Sequence, residues 1–321
     1  MSHRGSLALL LGTLLMAGAC GSGGATTPPT SPASVPPAAS DGVPSGGGAP
    51  SGTDAAPTDA GPTGGDGDDL LAHIQEAGVI RISTDPNYAP QSVILPDGTY
   101  EGFDIDVANE IGERLGVEVQ FETPDFDLVQ GGGWNGRWDV SVGSVTITED
   151  RKSVLGFTQP YYYTPAQMAA TEASGFTTLE ELAGATICVG EATTYLDWLE
   201  GTLTLGDGSM PVDPPEGAVG TTLPTDANCA EAIAAGRTEF EGFLSSSTTV
   251  QQAIDSEVPI VTVGDPVFFE PLAVAVDLSG PSHEALLAEL DRIIGEMHED
   301  GTLTGFSEEW YDGLDLTKAT E

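Results

Sequence analysis

The sequence predicts an α/β body with mostly parallel sheets, carried behind an exported N-terminal segment and a flexible tether. Three observations predict it. Strand-like and helix-like apolar patterns alternate from residue 68 onward, as they do in packed βαβ units. A stretch of Gly, Pro, Ser, Thr and Ala precedes them, and the chain opens on a short apolar run that ends at a cysteine.

Met1-Ser2-His3-Arg4 is a short basic head, Leu7 to Met16 is almost wholly apolar, and Ala17-Gly18-Ala19-Cys20 places small residues before a cysteine. The run is too short for an ordinary transmembrane helix, and the three parts together read as an export signal. The small residues before Cys20 resemble the bacterial lipobox, in which that thiol is acylated and becomes the new N-terminus. Residues 1–19 are therefore expected to be a lipoprotein signal peptide and Cys20 the lipidated residue. Ala17 stands where the lipobox usually has leucine, so an ordinary signal peptide with a chance cysteine is the alternative reading. Residues 20–67 form the tether, in which Val35 and Val43 are the only larger apolar side chains after Cys20. Such a segment buries too little apolar surface to offset its ordering entropy and is expected to be disordered. Its root-mean-square reach would be roughly 40 Å.

The remainder, about 250 residues, suffices for one large domain or two lobes of ordinary size. Fifty acidic against nine basic residues give a formal net charge of −41. That balance excludes a basic surface for nucleic acid or anionic lipid, so the body is expected to meet the membrane only through the lipid anchor. Spread along the whole chain, the acidic excess reads as a solvated surface suited to saline surroundings. With Cys20 lipidated, Cys188 and Cys229 are an even pair in an oxidising compartment. A disulfide between them is expected, with two buried free thiols as the alternative.

The body begins with Asp68-Asp69 ahead of Leu70, Leu71 and Ile74, a capped helix closed by Gly78, and Val79 to Ser83 follows as a strand. Pro96-Asp97-Gly98 is a turn between two short strands. From Phe103, the apolar positions Ile105, Val107, Ala108, Ile111 and Leu115 keep a helical period that Gly116 ends. Val117, Val119 and Phe121 then alternate as a strand. Downstream the alternation recurs: Ile187 to Val189 as strand, Tyr195 to Leu199 as helix, Asp226 to Ala235 as helix, Phe240 to Leu244 as strand. Leu286, Leu287, Leu290, Ile293, Ile294 and Met297 make a late amphipathic helix.

The segment from Gly102 to Leu115, Gly-Phe-Asp-Ile-Asp-Val-Ala-Asn-Glu-Ile-Gly-Glu-Arg-Leu, resembles the signature of the polar amino-acid-binding family of bacterial extracellular solute-binding proteins. Thr84 to Pro90 looks like that family's first ligand loop and Gly143 to Arg151 like its second. Phe157 to Tyr162 and Gly301 to Tyr311 fall in the family's order, so the resemblance covers residues 70 to 316. It implies a periplasmic-binding-protein-like clamshell: two α/β lobes joined by two hinge strands, closing on a ligand. Lobe 1 would be 68–167 and 272–321, and lobe 2 would be 168–271. The crossings would lie near Ala166 to Ala170 and Leu272 to Val276. The implied function is capture of an amino acid or similar small carboxylate for an ABC permease, by a monomer without cofactor or metal.

A free carboxylate entering a dry cleft must be paired, and an arginine fork suits it. Arg151 matches the family's carboxylate-binding arginine, with a surface ion pair to Glu149 or Asp150 as its structural alternative. Ser144 and Thr146 match positions that add hydroxyl and main-chain donors. Thr193 and Thr194 open a helix in the other lobe, where free N–H groups attract anions, although simple capping would also explain them. Tyr88 matches the aromatic residue that packs on the ligand's side chain. Trp134 lies in the dense segment Trp134-Asn135-Gly136-Arg137-Trp138 and is expected either in the cleft or in the core. The family usually places an aspartate for the ligand's ammonium at the position of Ser246, which is expected in the ligand-binding site; the ammonium partner is thus missing or relocated, with Asp85, Glu191 and Glu270 as substitutes, or else the ligand lacks an α-ammonium. The resemblance also implies a cystine at Cys188 and Cys229.

An enzyme of the dehydratase type on the same fold is the chief alternative, with Glu191 and Glu270 as its cleft acids. No Gly-x-Ser-x-Gly elbow and no CxxC occurs, and His3, His73, His283 and His298 are scattered. Asp104 and Asp106 open a helix, where acids favour the dipole. A ligand-sensing domain is the third class.

Overall fold

The structure, a computed structural model, describes residues 69–319. The expected signal peptide, lipidated Cys20 and tether lie outside the described residues. Asp69 caps the first helix, Leu70–Ala77, by accepting from the Leu71 N–H at 3.0 Å, and Gly78 ends it with φ at 70°. Val79–Ser83 follows and pairs in parallel with Glu118–Glu122 on one side and Val140–Thr146 on the other. The connection runs through the helix Phe103–Leu115, which buries Phe103, Ile105, Val107, Ala108 and Ile111 as their period demands. Gly112 lets this helix close on the sheet: a Cβ there would stand 2.4 Å from Val119 Cγ2.

The main sheet runs Val219–Leu223, Thr186–Gly190, Gly242–Ser246, Tyr162–Thr171, Phe268–Asp277, Val140–Thr146, Val79–Ser83, Glu118–Glu122. Its two wings are parallel. Its centre is antiparallel, because the long strand Tyr162–Thr171 carries the chain outward and Phe268–Asp277 brings it back. The expectation of mostly parallel sheets therefore holds for the wings alone. Each long strand changes neighbour part-way: the first leaves the second for Gly242–Ser246 at Ala166, and the second leaves the first for Val140–Thr146 at Leu272. These are the two hinge strands.

Apolar burial divides on either side of them. One core gathers Ile80, Ile82, Phe103, Ile111, Val142 and Leu290. Across the hinge strands stand Met168, Ile187, Val189, Trp198 and Leu244, backed by a layer with Cys188, Cys229, Phe243 and Val250. The architecture is a two-lobed α/β clamshell. Cys188 and Cys229 form a disulfide with Cα atoms 5.8 Å apart, fastening the strand Thr186–Gly190 to the helix Asp226–Ala234. The strand expected at Phe240 to Leu244 occupies Gly242–Ser246 instead. Phe240 is buried beside Val250 ahead of the strand, so its apolar signal belongs to the core and not to the ladder. No helix among the described residues is long and apolar enough to cross a membrane.

Candidate functional site

A cavity of about 500 Å³ opens between the lobes, at the carboxyl ends of the parallel strands, where open α/β sheets place their ligands. Arg151 lines it from a short 3-10 turn that follows the strand Val140–Thr146. Its Nη1 donates to the Thr146 carbonyl and its Nη2 to the Ala192 carbonyl, each at 3.1 Å. The Phe126 ring lies against the guanidinium, 5.3 Å from Cζ to centroid. Arg151 is only 3 % exposed, and burial pulls its proton affinity below that of an ordinary arginine. Among the described residues no carboxylate comes within ion-pair distance of it; Glu149 pairs with Lys152 instead. The surface ion-pair reading of Arg151 is thereby excluded. A buried guanidinium held by neutral carbonyls keeps its full charge and favours an anion beside it.

Acids stand around that cation without touching it. Asp85, Glu191, Asp226 and Glu270 all line the cavity. Glu270, on the returning hinge strand, draws hydroxyls from both lobes: Thr146 at 2.8 Å, Tyr195 at 2.7 Å, and Thr194. Asp226 opens the helix Asp226–Ala234. Its Oδ1 accepts the Gly190 N–H at 2.7 Å and its Oδ2 the Ser245 hydroxyl at 2.8 Å. Burial nevertheless pushes the Asp226 carboxyl up to about 7, with Glu270 and Asp85 adding like charge. Burial also raises Asp85 and the phenols of Tyr88 and Tyr195, whose hydroxyls meet at 3.3 Å across the cleft.

The structure brings Asp85, Tyr88, Ser144, Thr146, Arg151, Thr193 and Thr194 into one lining. Their donors are partly spoken for. The Ser144 N–H donates to the Tyr161 hydroxyl and its Oγ to Asp104 Oδ2 at 2.7 Å. Ser144 therefore offers the cavity neither of the donors expected of it. The Thr146 and Thr194 hydroxyls point to Glu270, and the Thr193 hydroxyl to the Gly190 carbonyl at 2.9 Å.

Two expected residues lie elsewhere. Trp134 is core: it packs on Trp138 at 5.4 Å within a cluster that includes Val129, Val145 and Leu155, and its Nε1–H donates to the Val129 carbonyl. Both its apolar area and its one donor are satisfied inward. Ser246 is the N-cap of the helix Ser247–Asp255, accepting the Thr249 N–H at 3.2 Å, and it is outside the cavity lining. It joins a contact between lobes, where the Gln91 amide lies 3.2 Å from Ser246 Oγ and 2.7 Å from Thr248 Oγ1. Asp226, Phe126 and Tyr195 were not singled out from the sequence as site residues. Asp226 carried one readable sign: it is an acid in the first turn of a helix that directly follows a parallel strand.

Two lobes, paired crossing strands and a buried cation facing buried acids in the cavity between them define a ligand-binding clamshell. The chain belongs to the bacterial extracellular solute-binding proteins, family 3, whose model matches residues 80–313. It is similar to the L-cystine-binding protein TcyJ of Escherichia coli strain K12, 26% identical over 253 residues that cover 78% of this chain and 88% of that one. It is also similar to the putative amino-acid ABC transporter-binding protein PatH of Vibrio harveyi, 25% identical over 250 residues covering 77% and 94%. In fold it matches the ancestral amino acid-binding protein AncCDT-1, described as a precursor of cyclohexadienyl dehydratase. The TM-score there is 0.64 at 24% identity, covering 75% of this chain and 99% of that one.

Proposed function

We propose that this protein is the extracytoplasmic, lipid-anchored capture component of an ABC importer and that it closes on an α-amino acid or a related small carboxylate. The observation that carries the reading is Arg151: buried in the interlobe cavity, held by carbonyls, and with no carboxylate in ion-pair distance among the described residues. The ligand's carboxylate takes the guanidinium from lobe 1, while Thr193 and Thr194 approach from lobe 2, so that binding energy becomes closure. Tyr88 packs on the rest of the ligand. Lobe 1 comprises 68–167 and 272–321 and lobe 2 comprises 168–271, with the protein acting as a monomer. A lipid on Cys20 holds it at the membrane, and residues 20–67 give it reach to a permease. The names of the relatives TcyJ and PatH support an amino acid as cargo and an ABC transporter as partner.

A cleft enzyme of the dehydratase type is the second reading, favoured by the fold match to a dehydratase precursor. The hydroxyls gathered on Glu270 count against it, since Glu270 is held by four donors, Thr146, Thr164, Thr194 and Tyr195. A thermal-shift screen of amino acids, amines and small carboxylates tests the proposal, because a ligand specific to the folded state must raise the melting temperature. An α-amino acid that stabilises the protein and is recovered unchanged supports capture. Stabilisation by no carboxylate at all, or conversion of the ligand, overturns it.

A further inference from the structure

We propose that Asp226 holds the ligand's α-ammonium in the place that position 246 has given up, and that the cavity is built for a diamino monocarboxylate. The inference rests on the reading that Arg151 takes the ligand's carboxylate.

The argument starts from charge. Among the described residues Arg151 is the only cation in the lining, against Asp85, Glu191, Asp226 and Glu270. Of these acids Asp226 and Glu270 are 4 % and 2 % exposed, so water cannot compensate them. An ionised acid buried without a cation is costly. Once a ligand carboxylate has neutralised Arg151, no further cation of the described lining remains for any of the four. Glu270 is already met by hydroxyls, among them those of Thr146, Thr194 and Tyr195, so a neutral α-amino acid brings one ammonium for Asp226 and leaves Asp85 unserved. A ligand with a further cationic nitrogen serves both.

Geometry says which acid meets which nitrogen. Ser246 spends its hydroxyl capping the helix Ser247–Asp255, and its neighbour Ser245 donates to Asp226 Oδ2. The strand that ends at position 246 thus delivers a hydroxyl to Asp226 and leaves the cavity's acid on the neighbouring helix. Asp226 keeps lone pairs free on both oxygens after accepting Gly190 and Ser245. It stands in lobe 2, opposite the lobe that holds Arg151, as a bridging ammonium requires.

The distal nitrogen has a route as well. Asp85, Phe126 and Gly143 line both the main cavity and a second chamber that continues from it past Thr84, Asp125 and Ser141. In that chamber the buried Thr84 Oγ1 has no hydrogen-bond partner among the described residues. A nitrogen passing Asp85 would find a carboxylate at the junction and an unused hydroxyl beyond it.

The test is isothermal titration of the purified protein at pH 8 with L-lysine, L-ornithine and L-arginine, set against L-glutamine, L-norleucine and cadaverine. At least one diamino acid is expected to bind 30-fold or more tighter than either neutral amino acid, about what one buried charge pair gives. Asp226→Asn, nearly isosteric, is expected to weaken that ligand by a similar factor, and Asp85→Asn to reduce the preference for it over L-glutamine. Ser245→Ala, which leaves the acid in place, should weaken it less. Equal or tighter binding of L-glutamine or L-norleucine would sink the inference while leaving amino-acid capture standing. Unchanged affinity in a folded Asp226→Asn protein would do the same. If only cadaverine binds, both readings fall together, and if none of the tested amino acids binds, the inference falls while capture of another small carboxylate stands. If Asp226→Asn does not fold, the wild-type ligand ranking and Ser245→Ala decide.

Discussion

The Gly190 N–H and Asp226 Oδ1 meet at 2.7 Å, and a Cβ on residue 190 would stand 2.8 Å from that same oxygen. Glycine at 190 is therefore a condition for the carboxylate's position. Gly190→Ala is expected to push Asp226 aside, at an overpacking cost of about 1–3 kcal/mol, and to weaken ligand binding about tenfold. Titration calorimetry beside a melting curve checks it. A stability loss with unchanged affinity would separate Asp226 from the ligand.

That pairing marks the limit of what the sequence discloses. The helix Phe103–Leu115 and the late helix Glu284–Glu299 were legible because their apolar period is sustained over three turns or more. Tyr162–Thr171 and Phe268–Asp277 were legible only through the resemblance, since strands buried along most of their length show no alternation. The position of Arg151 followed from its motif. Its freedom from Glu149 did not, because a partner three residues away can claim the acid first, as Lys152 does. Ser144 shows the same gap: its motif set it in the lining, but that its hydroxyl turns to Asp104 depends on a contact 40 residues away. Asp226 was visible only as a helix-opening acid, the commonest use of such a residue.

Arg151→Ala and Trp134→Ala are expected to fail in different ways. The first removes the cavity's cation and should abolish measurable binding of a carboxylate ligand, with 100-fold loss or more for a charge pair of a few kcal/mol. The second empties a core position and should cost about 3–5 kcal/mol of stability, with little change in affinity while the protein remains folded. Denaturant melts and calorimetry on both variants check the contrast. A Trp134→Ala protein of normal stability but poor affinity would return Trp134 to the cleft.

The disulfide Cys188–Cys229 joins the strand that ends at Gly190 to the helix that begins at Asp226. It closes a loop with a sequence separation of 41, for which the chain-entropy model gives about 4 kcal/mol. Reduction, or Cys188→Ala with Cys229→Ala, is expected to lower the unfolding free energy by an amount of that order. Ligand affinity should fall as well, because the same two elements hold Asp226. An unchanged melting temperature on verified reduction would contradict this account.

The pH dependence of the ligand-free protein is expected to run against ordinary acid denaturation over the neutral range. Burial raises two carboxyls, Asp226 and Asp104, to about 7, against about 3.9 for an aspartate in an unfolded chain. Between those values the native state binds more protons than the unfolded one, so stability falls as pH rises. Their contribution is complete below about pH 4 and lost as pH passes 7. Asp226 faces Asp85 and Glu270 as well as the Tyr88 and Tyr195 phenols. Asp104 faces the Ser144 hydroxyl and the Tyr161, Tyr162 and Tyr311 phenols, all of which stay protonated through this range. The carboxyls held low, Asp300 and Asp315 at about 2, act only under acid conditions. The net charge of −41 pushes the same way, since protonation relieves self-repulsion. The melting temperature should therefore be higher at pH 5.5 than at pH 8 by at least about 2 °C, and Asp104→Asn should flatten the slope. Under a saturating cationic amino acid the Asp226 part should reverse, because a paired Asp226 is ionised and affinity then climbs with pH. Differential scanning fluorimetry from pH 5 to 8, with and without ligand, reads both slopes, and a ligand-free protein that melts higher at pH 8 would show that these carboxyls are ionised in the native protein.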